Sequence, residues 1–406
     1  MAFSAGLVLR EDVLKTTRIE LKLRKVIAAA LTLLVTLPVA AAEPLQHWQQ
    51  KLEQSTFSGT VLVANSDAII FQQSFGFADR ENQRAFDEHT VFDIGSVTKQ
   101  FTATAIMLLV EQGKLSLSDT IDNFFPNVPA DKKNITIHHL LTNSSGLPVN
   151  PPRLREYEIV DIDAYIAQVL KLKLVSTPGE AYHYSNIGFS LLAQLIEIAS
   201  GQDWEAYIRQ HILLPAGLTE TGYRLLDVQQ ERLAINYGAD QNWFQWLFRI
   251  EAASRSVGDP LQHLRENPGR RWGEGSGYLL STAQDMHAWY LALRSGKILS
   301  EASWAQMLHP HIAETPSKID YYGYGWVISN PPEEFTSIWH DGSNGYSFTT
   351  FYYYPDIDLF ILTASNDRDN YPYPLMKEMK KSMQQRVANK SMQPAPVGVV
   401  SALGGG

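Results

Sequence analysis

The chain has 406 residues, with 34 Lys and Arg against 43 Asp and Glu, 45% hydrophobic and 19% charged residues, and no cysteine. These are ordinary globular values, and they exclude low-complexity disorder, a collagen-type repeat and a disulfide-stapled miniprotein. The net charge of −9 argues against a nucleic-acid partner, and the missing cysteine removes thiol nucleophiles, zinc thiolates and redox pairs.

Six basic side chains (Arg10, Lys15, Arg18, Lys22, Arg24, Lys25) and three acidic ones (Glu11, Asp12, Glu20) lie in residues 1–42. Residues 43–406 therefore hold 28 basic and 40 acidic side chains, a net −12. The basic segment runs into an apolar stretch over 26–39, and Ala40-Ala41-Ala42 precedes Glu43. A basic region, an apolar region and a small-residue cleavage site read as a secretory signal over 1–42, which places the mature protein in the periplasm or outside the cell. The alternative is an uncleaved anchor, but only 17 uncharged residues separate Lys25 from Glu43, slightly short of the roughly 18–20 that a span needs. No stable membrane span is therefore expected after cleavage.

Residues 57–75 read as a hairpin around Asn65-Ser66-Asp67. Helices are expected over 96–112 (ending at Gly113), 135–142, 186–200 (ending at Gly201), 203–214 and 282–294, the last with Ser281 as a candidate N-cap. Strands are expected over 321–329, 336–340, 346–354 and 358–364, followed by a polar helix over 375–390. Strands at both ends with helices between them indicate an α+β domain over 43–390. One lobe takes about 43–90 and 300–390, and a helical lobe of about 91–299 is inserted into it. The segment 391–406, with its Pro, small residues and Gly triplet, reads as a disordered tail.

H-E-x-x-H, G-x-x-x-x-G-K-[ST], G-x-G-x-x-G and G-x-S-x-G are all missing from the sequence, and the 11 His residues do not cluster at metal-ligand spacing. No metal or cofactor is expected, and His138-His139 read as packing or surface residues. One S-x-x-K occurs, Ser96-Val97-Thr98-Lys99, at the start of the strongest helical segment. Residues i and i+3 share a helix face, so Lys99 can lie against the Ser96 hydroxyl and take its proton. The backbone N–H groups at a helix start suit a developing oxyanion. Alone the motif is weak, because average usage predicts roughly one occurrence in a chain this long.

The surrounding residues 93–121, DIGSVTKQFTATAIMLLVEQGKLSLSDTI, resemble the nucleophile region of the serine β-lactamase and penicillin-binding protein superfamily, especially its class C-like branch. The resemblance calls for a Tyr-x-Asn after a Pro-Gly turn. Among 18 Tyr residues only Tyr184 begins one, with Pro178-Gly179 just before it. It also calls for Lys-Thr-Gly, or a His-x-Gly variant, on a late strand. His340-Asp341-Gly342 fits the variant, and no other His is followed by x-Gly. HHLLTNSSGLP (138–148) and SGYLLSTAQDMHAW (276–289) resemble further family segments.

The resemblance implies a β-lactamase/transpeptidase-like fold, with an antiparallel sheet flanked by helices. It implies an acyl-enzyme on Ser96, acid–base work shared by Lys99 and Tyr184, and an oxyanion hole from the N–H groups of Ser96 and Ser343. Asn186, His340 and Gly342 would bind substrate. Each also has a plainer reading: Tyr184 as a buried aromatic, Asn186 as an N-cap, Gly342 as a β-bulge. His-x-Gly is similar to family VIII-type esterases and D-amino-acid amidases. A mostly neutral His340 beside Asp341 offers no fixed cation for a substrate carboxylate, so a small ester, amide or peptide is expected to be preferred over β-lactams. The alternatives are a D,D-peptidase or β-lactamase, and a catalytically silent penicillin-binding sensor. The aromatic segment 237–250, with Trp243, Phe244, Trp246, Leu247 and Phe248, reads either as a packed cluster or as a lid over the acyl pocket.

Overall fold

The computed structural model describes residues 43–155, 157–238, 254–332 and 334–391. The leader, the tail beyond Ser391 and the aromatic segment from 239 onward lie outside the described residues. A helix occupies Glu43–Glu53, and chain contacts divide into two units between Lys51 and Leu52. The sheet and every site residue belong to the second unit.

Eight strands form one antiparallel sheet: β1 (Gly59–Ala64), β2 (Ile69–Phe75), β3 (Ile312–Ala313), β4 (Asp320–Tyr322), β5 (Val327–Ser329), β6 (Ser337–Gly342), β7 (Phe348–Tyr354) and β8 (Leu359–Ser365). Their order is β2-β1-β8-β7-β6-β5-β4-β3. The N-terminal hairpin thus pairs with the last strand, Gly59 opposite Ser365 and Ala64 opposite Phe360. The hairpin turn closes because the Asn65 carboxamide oxygen accepts from the N–H groups of Asp67 and Ala68, an Asx turn.

Four long helices cover the sheet and build the middle: α1 (Thr98–Glu111), α2 (Asn186–Ser200), α3 (Ala283–Arg294) and α4 (Tyr373–Ser391). Strand β8 is buried along its whole length because successive side chains face opposite layers. Phe360 stacks on Tyr290 of α3, with ring centroids 4.8 Å apart. The next-but-two Thr363 bonds the hydroxyl of Tyr371, just before α4, at 2.6 Å.

Helix α1 is apolar on every side, which is how a helix enclosed by protein reads in sequence. Residues 98–107 are all buried, Lys99 among them. Thr102 Oγ1 donates to Gly275 O at 2.7 Å, and the Gln100 carboxamide oxygen accepts from the Trp289 indole at 2.9 Å.

Several expectations shift in detail. Ser96 lies in a 3₁₀ turn, Gly95–Val97, and the α-helix begins only at Thr98. Thr282, not Ser281, caps α3 by accepting from Asp285 N. The stretch 321–329 is not one strand but two, because the chain turns back at 323–326 and pairs Tyr322 with Val327. Residues 203–214 begin as an α-helix, Trp204–Ile208, and widen into a π-turn over Arg209–Leu213. Pro215 follows that turn and has no N–H to continue an i→i−4 ladder. Among the helices that escaped the periodicity reading are Ile162–Val169 and Glu301–Met307. Both are short, and their N-cap side chains, Asp161 and Ser300, are their clearest sequence signal.

Candidate active site

The Ser96 turn is fixed from both sides. Asp93 is buried, and its carboxylate accepts from Gly95 N at 2.6 Å and from the Asn344 carboxamide at 2.9 Å. Thr349 on β7 donates to the Asp93 carbonyl at 3.0 Å. Burial raises the Asp93 carboxyl to about 6 despite these donors. The same residue therefore ties the Ser96 turn to the turn after β6.

The contact between those two turns is backbone against backbone. A Cβ on Gly342 would lie 2.0 Å from the Ile94 oxygen and 2.6 Å from the Ser96 nitrogen. A Cβ on Gly95, whose φ is +49°, would lie 2.3 Å from the Ser343 nitrogen. Any larger residue would drive the turns apart. Gly342 pairs with Thr349 in regular register, so it is no bulge.

Lys99 Nζ lies 3.0 Å from Ser96 Oγ, 2.7 Å from Asn186 Oδ1 and 2.6 Å from the Ser276 carbonyl. Asn186 opens α2, but the cap is its neighbour Ser185, whose hydroxyl accepts from Gly188 N. Asn186 Nδ2 donates to Asn150 Oδ1 at 2.8 Å, which leaves its oxygen facing Lys99. Tyr184 stands beside them, its ring centroid 4.8 Å from Lys99 Nζ. The segment 143–149 clamps Tyr184: Asn143 accepts from the N–H groups of His183 and Ser185, and Val149 O accepts from Asn186 N. Burial pushes the Tyr184 phenol well above its ordinary range. Its hydrogen bond with Ser96 pulls the other way, and the charges of Asp341 and Glu314 add to the rise.

On the sheet side, His340 is 3% exposed. Its Nδ1 lies 2.5 Å from the Asp341 carbonyl, so Nδ1 carries the proton and Nε2 accepts from the Tyr322 hydroxyl at 3.0 Å. Burial, with Lys99 nearby, lowers the imidazole to about 3. His340 is thus neutral, and both of its nitrogens bond protein groups. His138 bonds the Tyr324 hydroxyl, and His139 closes a capping box with Thr136.

Ser96, Tyr184, Asn186, His340, Gly342 and Ser343 line one cavity of about 400 Å³. Sequence reasoning did not place four others on its wall that bear charge or a phenol: Tyr182, Tyr322, Glu314 and Arg368. Burial raises Glu314 to about 7. Asp341, weighed in the sequence as the acid beside His340, lines the wall too, its carboxyl pushed up by burial. No group of His, Asp and Glu able to hold a metal ion occurs among the described residues.

The arrangement of nucleophile turn, Tyr-x-Asn helix and late strand has clear relatives. The β-lactamase family profile matches residues 40–380. The chain belongs to the β-lactamase family. It is 30% identical over 328 residues to penicillin-binding protein 4* of Bacillus subtilis, covering 79% of this chain and 70% of that protein. A crystal structure of a penicillin binding protein from Bacillus halodurans superposes with a TM-score of 0.67 at 26% identity, covering 84% of this chain and 99% of that one. The D-amino acid amidase of Ochrobactrum anthropi shares the fold at 19% identity, with a TM-score of 0.69 and coverage of 86% and 99%. Family membership makes the chain a serine hydrolase of the β-lactamase and penicillin-binding type. Among the described residues, no helix is long and apolar enough to cross a membrane.

Proposed function

We propose that this β-lactamase-family chain hydrolyses a small ester, amide or peptide through an acyl-enzyme on Ser96. The supporting observation is Lys99 Nζ at 3.0 Å from Ser96 Oγ, held there by Asn186 and the Ser276 carbonyl. A neutral amine donating to those two acceptors turns its lone pair to the Ser96 proton. Tyr184 stays a protonated phenol, since burial disfavours its phenolate, and serves as donor rather than base.

In the first step Ser96 Oγ bonds to the substrate carbonyl carbon, and its proton passes to Lys99. The carbonyl electron pair moves onto oxygen, where the N–H groups of Ser96 and Ser343 receive the charge. Collapse breaks the bond to the leaving group, which takes a proton from Tyr184, and Lys99 reprotonates Tyr184. Water then attacks the acyl carbon, giving its proton to the same pair, and Ser96 leaves as its hydroxyl. His340 holds Tyr322 on the cavity wall, and Gly342 keeps the two turns close enough for the paired N–H groups to converge.

Quenching the enzyme with a p-nitrophenyl ester and weighing it should show one acyl group on the Ser96 peptide. The Ser96→Ala protein should carry none, and undiminished turnover by that variant would reject the scheme. The likeness to penicillin-binding protein 4* favours a second substrate reading, a β-lactam or a D-alanyl peptide. Nitrocefin hydrolysis outpacing short p-nitrophenyl esters would select it. Residues 1–42 are proposed to direct export to the periplasm or medium. N-terminal sequencing of the exported protein should then begin at Glu43.

A further inference from the structure

The two backbone N–H groups that would receive the oxyanion sit on different turns. Each nitrogen lies against a glycine of the opposite turn, Ser96 N against Gly342 and Ser343 N against Gly95. Neither N–H can be aimed from its own turn alone, so whatever joins the turns decides where the pair converges. Asp93 reaches both. It ends a short strand, Phe92–Asp93, that pairs with Leu280–Ser281, and its buried carboxylate bonds one residue of each turn.

The far side of this contact dictates what residue 93 must be. The turn after β6 closes on itself: Ser343 Oγ donates to Ser347 O at 2.6 Å and accepts from Gly345 N at 3.0 Å. The Asn344 carboxamide oxygen accepts from Tyr346 N at 2.9 Å and from Ser347 N at 2.8 Å. With its oxygen so engaged, Asn344 can offer residue 93 only its amide hydrogens, and Nδ2 donates to Asp93 Oδ2 at 2.9 Å. Asp93 Oδ1 accepts from Gly95 N at 2.6 Å. Residue 93 must therefore accept in two directions at once. A carboxylate does so, whereas a carboxamide, with one oxygen, turns a donor toward one of the two. Among the described residues no cation pairs with this carboxylate, and only neutral donors hold it. A buried charge met by neutral donors is costly, and a site that needed only packing would be filled more cheaply by a neutral side chain.

We propose that Asp93 is a positioning residue for the oxyanion hole. Its carboxylate holds the Gly95 N–H with one oxygen and the Asn344 carboxamide with the other, and so sets the N–H groups of Ser96 and Ser343 at one spacing. Asp93 is not on the cavity wall, so it acts through its neighbours and not on the substrate. The inference rests on the acyl-enzyme reading for the use made of the two N–H groups, and on geometry alone for how they are held. An Asn at position 93 would face the Asn344 carboxamide donor to donor, and the turns would part. The swap Asp93→Asn with Asn344→Asp restores every one of these hydrogen bonds, with the polarity of the bond between the two side chains reversed.

Asp93→Asn should lower kcat for a p-nitrophenyl ester about 10²-fold and change KM by less than about threefold, because only the transition state carries the oxyanion. Affinity for phenylboronic acid, which forms a tetrahedral adduct on a serine hydroxyl, should fall by a similar factor. The swapped double variant should regain about tenfold or more of both. If Asp93→Asn does not fold, Asn344→Ala removes the donor from the other side and should show the same losses in kcat and boronic-acid affinity. A loss of turnover with boronic-acid affinity intact overturns the inference, and so does a swap that rescues nothing although each single variant melts as a folded protein. If the wild-type protein neither hydrolyses esters nor binds the boronic acid, the acyl-enzyme reading has failed, and amide hydrogen exchange decides the rest. The Tyr346 and Ser347 N–H groups should then exchange faster in Asp93→Asn and slow again in the swapped variant. Unchanged exchange rates overturn the positioning role as well.

Discussion

On the helical side of the cavity, each group of the proposed mechanism is held from another segment: Lys99 by Asn186 and Ser276, Tyr184 by Asn143 and Val149, and the Ser96 turn, through Asp93, by Asn344 and Thr349. On the sheet side, by contrast, His340 and Tyr322 spend their polar atoms on each other and on backbone, and charge is left over only at Glu314, Asp341 and Arg368. In the proposed mechanism the first side moves a proton, and the second chooses what is brought to it. A side whose groups are tied to fixed partners tolerates few changes, whereas a side with unspent charge can be altered to change the substrate without dismantling the chemistry.

Substitutions can break that contrast. Ser96→Ala should lower kcat by about 10³-fold or more while leaving substrate binding measurable by calorimetry. Tyr184→Phe removes a single hydroxyl and should cost about 10²-fold in kcat, with little change in melting temperature. Loss of stability instead would make the tyrosine a packing residue. Gly342→Ala forces a methyl group against Ile94 O and Ser96 N. It should cost about 1–3 kcal/mol in denaturant unfolding, together with most of the activity.

A smaller effect should appear as a pH dependence of stability. His340 falls from 6.5 to about 3 on folding, so between those values the unfolded chain binds the extra proton. Its contribution is present above pH 6.5 and is lost as pH falls toward 3, at about 1.4 kcal/mol per pH unit. Chemical denaturation of His340→Gln across that window should show a shallower slope. The smallest effect concerns Glu314, which titrates at about 7. As it ionises, kcat/KM for an anionic ester should drop about two- to fivefold between pH 6 and 8, and Glu314→Gln should flatten the profile. If that variant kept the drop, Glu314 would not be its cause.

The legible and illegible parts of the site follow the same division. Ser96 and Lys99 were readable because a three-residue spacing on a helix face is written locally. Asn186 was readable because Tyr-x-Asn follows a Pro-Gly turn and opens an apolar helix that stops at Gly201, although the cap proved to be Ser185. The late strand was readable from its aromatic run, although Gly323 and Gly325 hid a reversal that a composition reading merged into one strand. Arg368 and Glu314 carried no local signal. Their place on the cavity wall comes from strand order, which carries the loop after β8 and the end of β3 to the cavity. The carbonyl of Ser276 was illegible for another reason: any residue could supply it, since only the backbone is used.

The joint between Asp93 and Thr349 spans 256 positions of chain, and Gly95 and Gly342 meet beside it. The sheet that carries β6 and β7 also includes β1, so pairing of the N-terminal hairpin with the last strand is a second closure of long separation. Contacts of such separation form slowly, because a long loop must be ordered before it is rewarded. Recovery of hydrolytic activity during refolding is therefore a clock for final closure of the chain, and it should lag behind helical circular dichroism.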